Sequence, residues 1–304
     1  MKKQHIPVLL EEVVRVAKPQ TGEIYIDLTA GFGGHAAAIL ESIRDSGEAW
    51  LIDQDNDAVE ALTECFQQQG NVRIVHENFA RLDWGTLPPA DIILLDAGVS
   101  SKQLDDPTRG FSFKHDGPLD MRMDTTARVS AYQLVNELPE SELADIIYQY
   151  GEERQSRRIA KAIVSVRSEK KISTTANLVD IIHHSIGNGG KIDSATKTFQ
   201  ALRIAVNDEL HALERVIPKA ASNLKPGGRL IIISFHSLED RIVKEAFRAL
   251  TTSDIDPITG QPTNTPLFTL VTKKPMTASP EEIDINPRAR SAKLRAVEKQ
   301  KLTQ

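Results

Sequence analysis

The chain has 304 residues, of which 40% are hydrophobic and 26% charged, the proportions of an ordinary globular protein. A net charge of −5 argues against a generally basic nucleic-acid-binding protein, and a single cysteine excludes a disulfide framework or a multi-cysteine metal site. No apolar stretch reaches the length of a secretion signal or a membrane span, so we expect a cytoplasmic protein without membrane contact.

Four strands are predicted in the first hundred residues, and helical patterns separate the first three. The strands are EIYIDL (23–28), AWLID (49–53), VRIVH (72–76) and DIILLD (91–96). Alternating strands and helices predict a parallel sheet with both faces covered. The helix that ends before Gly70 contains Cys65, which is interpreted as a packed core residue rather than a nucleophile.

A long interval separates the fourth strand from the fifth, RLIIISF (229–235). A crossover between parallel strands needs little more than a dozen residues, so residues 97–228 must contain structure of their own. The interval is helical in pattern and lacks strand candidates. We therefore predict an all-helical domain at 111–205, inserted between two parts of an α/β domain at 1–110 and 206–304. Two further strands, LFTLVTK and SAKLRAVE, follow the fifth.

The positive charges are concentrated in two patches despite the negative total. Between Tyr150 and Arg203 there are ten Lys and Arg against five Asp and Glu, and after residue 286 there are six against one. Within the first patch, four cations fall in two helical turns: Arg154, Arg157, Arg158 and Lys161. They either contact RNA phosphates or form a solvated face paired with Glu152 and Glu153.

The first strand runs into a glycine-rich turn and a helix of small residues, YIDLTAGFGGHAAAIL (25–40). Such a turn cradles part of a nucleotide-like ligand, and Gly31, Gly33 and Ala36 fit the spacing of a dinucleotide fingerprint. An aspartate before the turn, Asp27, would repel a pyrophosphate. The same carboxylate would attract the ammonium and sulfonium groups of S-adenosylmethionine.

Two later features favour S-adenosylmethionine over NAD. The stretch LKPGGRLIIISF (224–235) predicts a helix end, a glycine turn and then a strand, an order typical of the approach to the fifth strand of methyltransferase sheets. The chain also lacks the second mononucleotide-binding half of a dinucleotide enzyme. Asp53, at the end of the second strand, can accept both ribose hydroxyls of either ligand.

Two long stretches of the chain are highly specific, RGFSFKHDGPLDMRMD and SFHSLEDR, and they are accompanied by DLTAGFGGH, YGEERQSRRIAKAI, TKTFQALRIAVNDEL and NPRARSAKLRA. In these stretches the chain resembles the ribosomal RNA small-subunit methyltransferase H family. The resemblance implies a class I S-adenosylmethionine-dependent methyltransferase with a Rossmann-like α/β sheet and an inserted helical domain. It also implies methylation of the N4 amine of a cytidine in the decoding centre of 16S rRNA, with the small ribosomal subunit as partner.

The resemblance also implies the site residues. The cofactor contacts fall on Gly33, Gly34, His35, Asp53, Phe79, Asp96 and Gln103. We expect no metal site. Asp96 is in addition the leading candidate for a catalytic acceptor, because it ends the fourth strand, where cofactor and substrate meet.

Several alternatives stay open from the sequence. The loop at 109–123 is either a cover that stacks Phe111 or Phe113 on a displaced base or a structural hinge. His236 either contacts substrate or is buried, and Ser237 is a candidate helix N-cap.

One rival function is methylation of DNA or a small molecule. It is disfavoured by the sequence DAGVSS, which stands in place of the Pro-Pro motif of DNA methylases, and by the basic insert. A second rival is a non-catalytic assembly factor. DNA is not an expected partner, and a homodimer is left open.

Overall fold

A computed structural model describes residues 7–188 and 193–301. Its strands form a single seven-stranded sheet in the order β3-β2-β1-β4-β5-β7-β6. Strands β1 to β5 run parallel to one another, and β7 is antiparallel to both of its neighbours, β5 and β6. The strands are β1 (Ile24–Asp27), β2 (Glu48–Asp53), β3 (Val72–His76), β4 (Ala90–Asp96), β5 (Leu224–Ser234), β6 (Phe268–Leu270) and β7 (Lys293–Lys299).

Helices account for most of the remaining described chain. In order, they are α1 (Leu10–Ala17), α2 (Gly34–Ile43), α3 (Asn56–Phe66), α4 (Ser101–Asp105), α5 (Ala131–Glu137), α6 (Glu140–Gly151), α7 (Ser156–Glu169), α8 (Thr175–Ile186), α9 (Ala195–Asn207), α10 (Glu209–Ser222), α11 (Ser237–Thr251) and α12 (Pro280–Ile285). None of the helices in the described part of the chain is long and apolar enough to cross a membrane.

The chain forms two compact units, and the first contains the sheet. It comprises the described residues up to Gly98 and those from Leu210 onward. Successive side chains of β4 pack on opposite faces: Ile92 and Leu94 join the cluster formed with α1 and α2, whereas Ile93 and Leu95 join the cluster formed with α10 and α11. Both faces are therefore buried, which explains why the central strands are apolar almost throughout.

Strand β5 begins before the predicted RLIIISF segment. Leu224 pairs with Ala90, and the register then shifts so that Arg229 pairs with Ile92. Gly227 lies between them with φ of +84°, a left-handed conformation that glycine adopts without strain. The glycine turn predicted at this point is an irregularity within the strand rather than a connection before it.

The second unit spans Val99–Glu209 and is helical, with its own apolar core. It begins earlier than the predicted insert at residue 111, because Val99 and Leu104 pack against that core, which Phe111, Leu119 and Met121 of the connecting loop also join. Phe113 packs edge-on against Phe199 with ring centroids 5.0 Å apart. In this structure the loop aromatics therefore pack within the unit rather than forming an open stacking surface.

The sequence ATKTFQALRIAVNDELHALERV (195–216) has a continuous helical pattern, but the helix is interrupted at Asp208. This residue has φ of +51°, and it separates α9 from α10. The neighbouring Asn207 side chain accepts a hydrogen bond from Met123 N at 2.8 Å and donates one to Met121 O at 2.8 Å. Contacts with residues more than eighty positions away thus fix the end of α9, which a local helical pattern does not reveal.

Cys65 is exposed, so its interpretation as a core residue is wrong. The buried residues of α3 are Ala58, Leu62 and Phe66, which lie at spacings of four on one side of the helix. Cys65 precedes Phe66 by one position and is rotated about 100° away from it.

Gly110 provides a test of the packing of the connecting loop. Its φ is +70°, and a Cβ there would lie 2.1 Å from Pro118 O and 2.9 Å from Asp120 N. We expect Gly110→Ala to lower the free energy of unfolding by roughly 2–5 kcal/mol through left-handed strain and overpacking. Gly260→Ala is the matched control, because its φ is +68° with no atom near the added methyl. Equal losses in chemical denaturation of the two variants would contradict the packing.

Candidate active site at the carboxyl ends of the strands

Three aspartates end neighbouring parallel strands of the sheet: Asp27 in β1, Asp53 in β2 and Asp96 in β4. The carboxyl ends of parallel strands meet at one edge, where open α/β sheets bind their ligands. Each carboxyl is nevertheless in a different environment, set by the residues that immediately follow its strand.

Asp27 is 1% exposed and makes its contacts inside the protein. Its Oδ2 accepts a hydrogen bond from Tyr25 OH at 2.6 Å, and its Oδ1 accepts one from Thr29 N at 3.1 Å. Burial raises the pKa of Asp27 to about 7, against the lowering effect of these two bonds. The sequence predicts Asp27 as a direct partner of a cationic ligand, whereas the structure gives it internal partners.

Asp53 holds the glycine loop. Its Oδ2 accepts a hydrogen bond from Gly31 N at 2.8 Å, and its Oδ1 accepts one from Asp55 N at 2.9 Å. Desolvation raises the pKa of Asp53, and the backbone hydrogen bonds from Asp55 and Gly31 partly oppose that rise. Each carboxylate oxygen has a further lone pair, so Asp53 retains acceptor capacity for a ligand hydroxyl.

The three glycines of the loop have different roles. A Cβ on Gly33 would lie 2.7 Å from the Phe66 ring, and one on Gly34 would lie 2.3 Å from Pro7 Cγ. These two residues are therefore needed for close packing with the protein itself. Gly31, with φ of +53°, would place a Cβ no closer than 3.9 Å to the nearest atom, Thr29 O. Gly31 thus leaves the space around it open.

Asp96 has one carboxylate oxygen without a partner. Its Oδ1 is buried and accepts no hydrogen bond from the described residues, while Oδ2 lies 4.0 Å from His35 Nδ1. Burial raises the pKa of Asp96 well above its usual value, and the charges of Asp27 and Glu239 raise it further. A buried acceptor of this kind is destabilising unless a ligand satisfies it.

The neighbours of Asp96 are fixed by hydrogen bonds to the backbone. His35 Nε2 lies 2.9 Å from Val8 O, a contact that orients the imidazole ring. Asp96 N donates to Thr29 Oγ1 at 2.6 Å, so one side chain from the loop after β1 is tied to the end of β4. Sequence reasoning missed both Thr29 and Tyr25; the only local signal was a polar residue on either side of Asp27.

Phe79 and Gln103 are the remaining residues predicted to contact the cofactor. Phe79 is partly buried and packs against the face of the sheet formed by Ile26 and Ile52. Gln103 belongs to the second unit, where its Oε1 accepts a hydrogen bond from Ser100 N at 2.9 Å in the cap of α4. The structure thus gives each of them a structural contact.

His236, rather than Ser237, caps the helix that follows β5. Its Nδ1 accepts a hydrogen bond from Glu239 N at 3.4 Å, and Glu239 Oε2 accepts one from Phe235 N at 2.7 Å. Ser237 is the first residue of α11, so the prediction of a serine cap is wrong. The largely buried His236 ring therefore has a capping role, and its partner Glu239 is 2% exposed.

The sheet order, the antiparallel β7 inserted beside β5 and the glycine loop held by Asp53 define a class I methyltransferase, which confirms the predicted fold class. The chain matches the model of the MraW methylase family over residues 2–300. Since this match covers nearly the whole chain, the protein belongs to that family.

Similar proteins in three bacteria are named ribosomal RNA small subunit methyltransferase H. The protein of Citrifermentans bemidjiense is 49% identical, over 97% of this chain and 98% of its own length. That of Granulibacter bethesdensis is 47% identical, over 97% and 91%, and that of Heliobacterium mobile is 46% identical, over 98% and 100%. The resemblance inferred from the sequence motifs is confirmed.

S-adenosylmethionine is the cofactor of this fold and family, and the site fits its charge. Desolvation raises the pKa values of Asp27, Asp53 and Asp96, and no cation among the described residues lowers any of them, so the three carboxyl groups lack a counter-charge. A ligand with a sulfonium and an ammonium group supplies that charge. Asp53 would hold the ribose, and Gly31 leaves room for the ligand beside the loop.

Replacement of Asp53 tests the ribose contact. We expect Asp53→Ala to weaken S-adenosylmethionine binding by roughly 1.5–3 kcal/mol, because it removes a charge-assisted acceptor. Glu60→Ala is the control, since it removes an exposed carboxylate from the helix that follows β2. Titration calorimetry measures both affinities. Unchanged affinity in a folded Asp53→Ala protein would contradict the assignment.

Replacement of Asp27 tests its burial. An aspartate with a pKa of about 7 in the folded state binds its proton more tightly there than in the unfolded chain, so its contribution to stability falls as pH rises from about 4 to about 7. The unfolding free energy of the native protein should therefore fall relative to that of Asp27→Asn over that range. Urea denaturation at several pH values measures it, and parallel profiles would contradict the burial effect.

Proposed function

We propose that the protein methylates the exocyclic N4 amine of a cytidine in the decoding centre of 16S rRNA, on the assembled small ribosomal subunit. Three similar proteins named for the small-subunit rRNA support the choice of substrate, and the motifs RGFSF and SFHSLEDR support the position. The observation that carries the chemistry is the buried, unpartnered Oδ1 of Asp96.

The amine of cytosine is a poor nucleophile because its lone pair is delocalised into the ring. An acceptor held against one of its N–H bonds favours a pyramidal nitrogen and stabilises the positive charge that develops during transfer. Asp96 Oδ1 is such an acceptor, since no other described residue occupies it. Asp96 takes up the proton as the nitrogen is alkylated.

S-adenosylmethionine supplies the electrophilic methyl group. A cation at this edge opposes the desolvation that raises the pKa of Asp96, so the carboxylate is ionised when it must accept an N–H. His35 Nδ1 lies 4.0 Å from Asp96 Oδ2, and His35 is itself a cofactor contact on the family resemblance. Asp53 binds the ribose and Phe79 stacks on the adenine, while Gly33, Gly34 and Gln103 are cofactor contacts on the family resemblance.

The two rival functions predict different results: a DNA methylase would methylate duplex DNA, and a non-catalytic factor would transfer no methyl group. Mass spectrometry of 16S rRNA from a strain lacking the gene should show loss of one N4-methylcytidine, and the purified protein should restore it on isolated small subunits. Transfer to duplex DNA, or none to subunits, would contradict the proposal. A cytoplasmic location follows from this substrate.

Asp96→Asn tests the catalytic role. The variant keeps the size of the side chain and one acceptor oxygen but loses the charge, so we expect single-turnover methyl transfer to fall by about two orders of magnitude. The affinity for S-adenosylmethionine should change far less. In the native protein the rate of methyl transfer should fall as the pH drops and Asp96 becomes protonated. Because burial raises the pKa of Asp96, this fall should occur at a higher pH than for an ordinary carboxyl group.

The competing outcome is a role in cofactor binding alone. In that case affinity would collapse in Asp96→Asn, and saturating cofactor would restore the full rate. Such recovery, measured on small subunits, would refute the catalytic role.

A further inference from the structure

One face of α7 carries a row of positive charges, defined here as the α7 basic face. Arg154 precedes the helix, and Arg157, Arg158 and Lys161 lie within its first two turns. All four are exposed. Spacings of three and four place Arg157, Arg158 and Lys161 on one side of the helix, about opposite to the buried Ile159, Ala160 and Ile163. Arg154 lies in the turn that leads into the helix.

The described part of the chain offers no partner to these charges. None of the four side chains makes an ion pair or hydrogen bond within residues 7–188 and 193–301. Glu153, the acid nearest in sequence to Arg154, lies instead 3.7 Å from Lys197 Nζ and accepts a hydrogen bond from Gln155 N. The alternative of a solvated face paired with neighbouring acids therefore does not describe this helix.

The arrangement opposes the stability of α7. Its first turn contains Arg157 and Arg158 and no acidic residue, although the partial positive charge at a helix N-terminus favours acids there. Arg157 and Lys161 are like charges four residues apart on the helix, and they repel each other. The positive charges of the α7 basic face therefore destabilise the free helix, and a bound anionic surface would remove that cost.

The second basic patch behaves differently. Lys293 Nζ and Arg295 Nε both donate to Asp240, at 2.9 and 2.7 Å, and Lys299 Nζ donates to Leu224 O at 2.6 Å. These cations are used within the first unit. Three of the six cations of the second patch thus have partners within the first unit, whereas the four cations of the α7 basic face have none among the described residues.

We propose that the α7 basic face binds the phosphate backbone of rRNA in the small subunit; this inference rests on the proposed function. Three of the four cations are arginines, whose guanidinium groups match phosphate oxygens in pairs. Ser165 and Ser168 continue the same exposed face with hydroxyl donors. On α6, which packs against α7, Tyr148 is 59% exposed, and an exposed aromatic ring suits unstacked bases rather than an acidic protein surface.

The test replaces all four cations with glutamine. Binding to small subunits from a strain lacking the methylation, and to protein-free 16S rRNA, is measured by filter binding across a series of salt concentrations. Four lost phosphate contacts should reduce the slope of log affinity against log salt by about three. The control carries four glutamines at exposed lysines of the first unit, Lys219, Lys244, Lys273 and Lys274, and should change the slope by less than about one.

The outcomes are distinguishable. Equal slopes for the native and α7 variants, or equal losses in the α7 and control variants, would overturn the inference. A loss on intact subunits but not on protein-free rRNA would also overturn it and assign the face to an acidic protein. Unchanged far-UV circular dichroism and thermal unfolding of the α7 variant exclude misfolding of the second unit, and unchanged affinity for S-adenosylmethionine excludes damage to the first. Failure of the native protein to methylate subunits in the same preparations would overturn the proposed function instead.

Discussion

The structure of the first unit depends on removing three carboxyl groups from water at one edge of a parallel sheet. Asp27, Asp53 and Asp96 end adjacent strands, and desolvation raises the pKa of each. Ionised carboxylates in such surroundings are unfavourable without a counter-charge. Hydrogen bonds satisfy Asp27 and Asp53 in part, while Asp96 keeps a bare oxygen. The site is therefore prepared for a cation and for an N–H donor.

The same carboxyl groups organise the glycine loop. Asp53 fixes Gly31, and Thr29 joins the loop to both Asp27 and the backbone of Asp96. Because these bonds cross between three strands, the position of the loop is set by the sheet rather than by the loop sequence. A local glycine motif then becomes a site only where the strand order brings β1, β2 and β4 together.

The strands could be predicted from apolar periodicity, and the aspartates at their ends from the sequence alone. The roles of Asp27, Cys65 and Ser237 could not, because each depends on which face or neighbour the tertiary structure supplies. A hydroxyl from Tyr25 satisfies Asp27, and His236 caps α11 through a buried glutamate. Likewise, the helical pattern of the sequence does not reveal that Asp208 is left-handed. That break in the helix is accompanied by a long-range hydrogen bond from Met123 to the neighbouring Asn207.

Proton release on cofactor binding tests the account most directly. Calorimetric titrations with S-adenosylmethionine near pH 6.5, in buffers of different ionisation enthalpy, report the number of protons exchanged. Because desolvation raises the pKa values of Asp27 and Asp96, a cationic ligand should expel protons, and S-adenosylhomocysteine, which lacks the sulfonium charge, should expel fewer. Binding enthalpies independent of the buffer for both ligands would contradict the central role of the buried carboxyl groups.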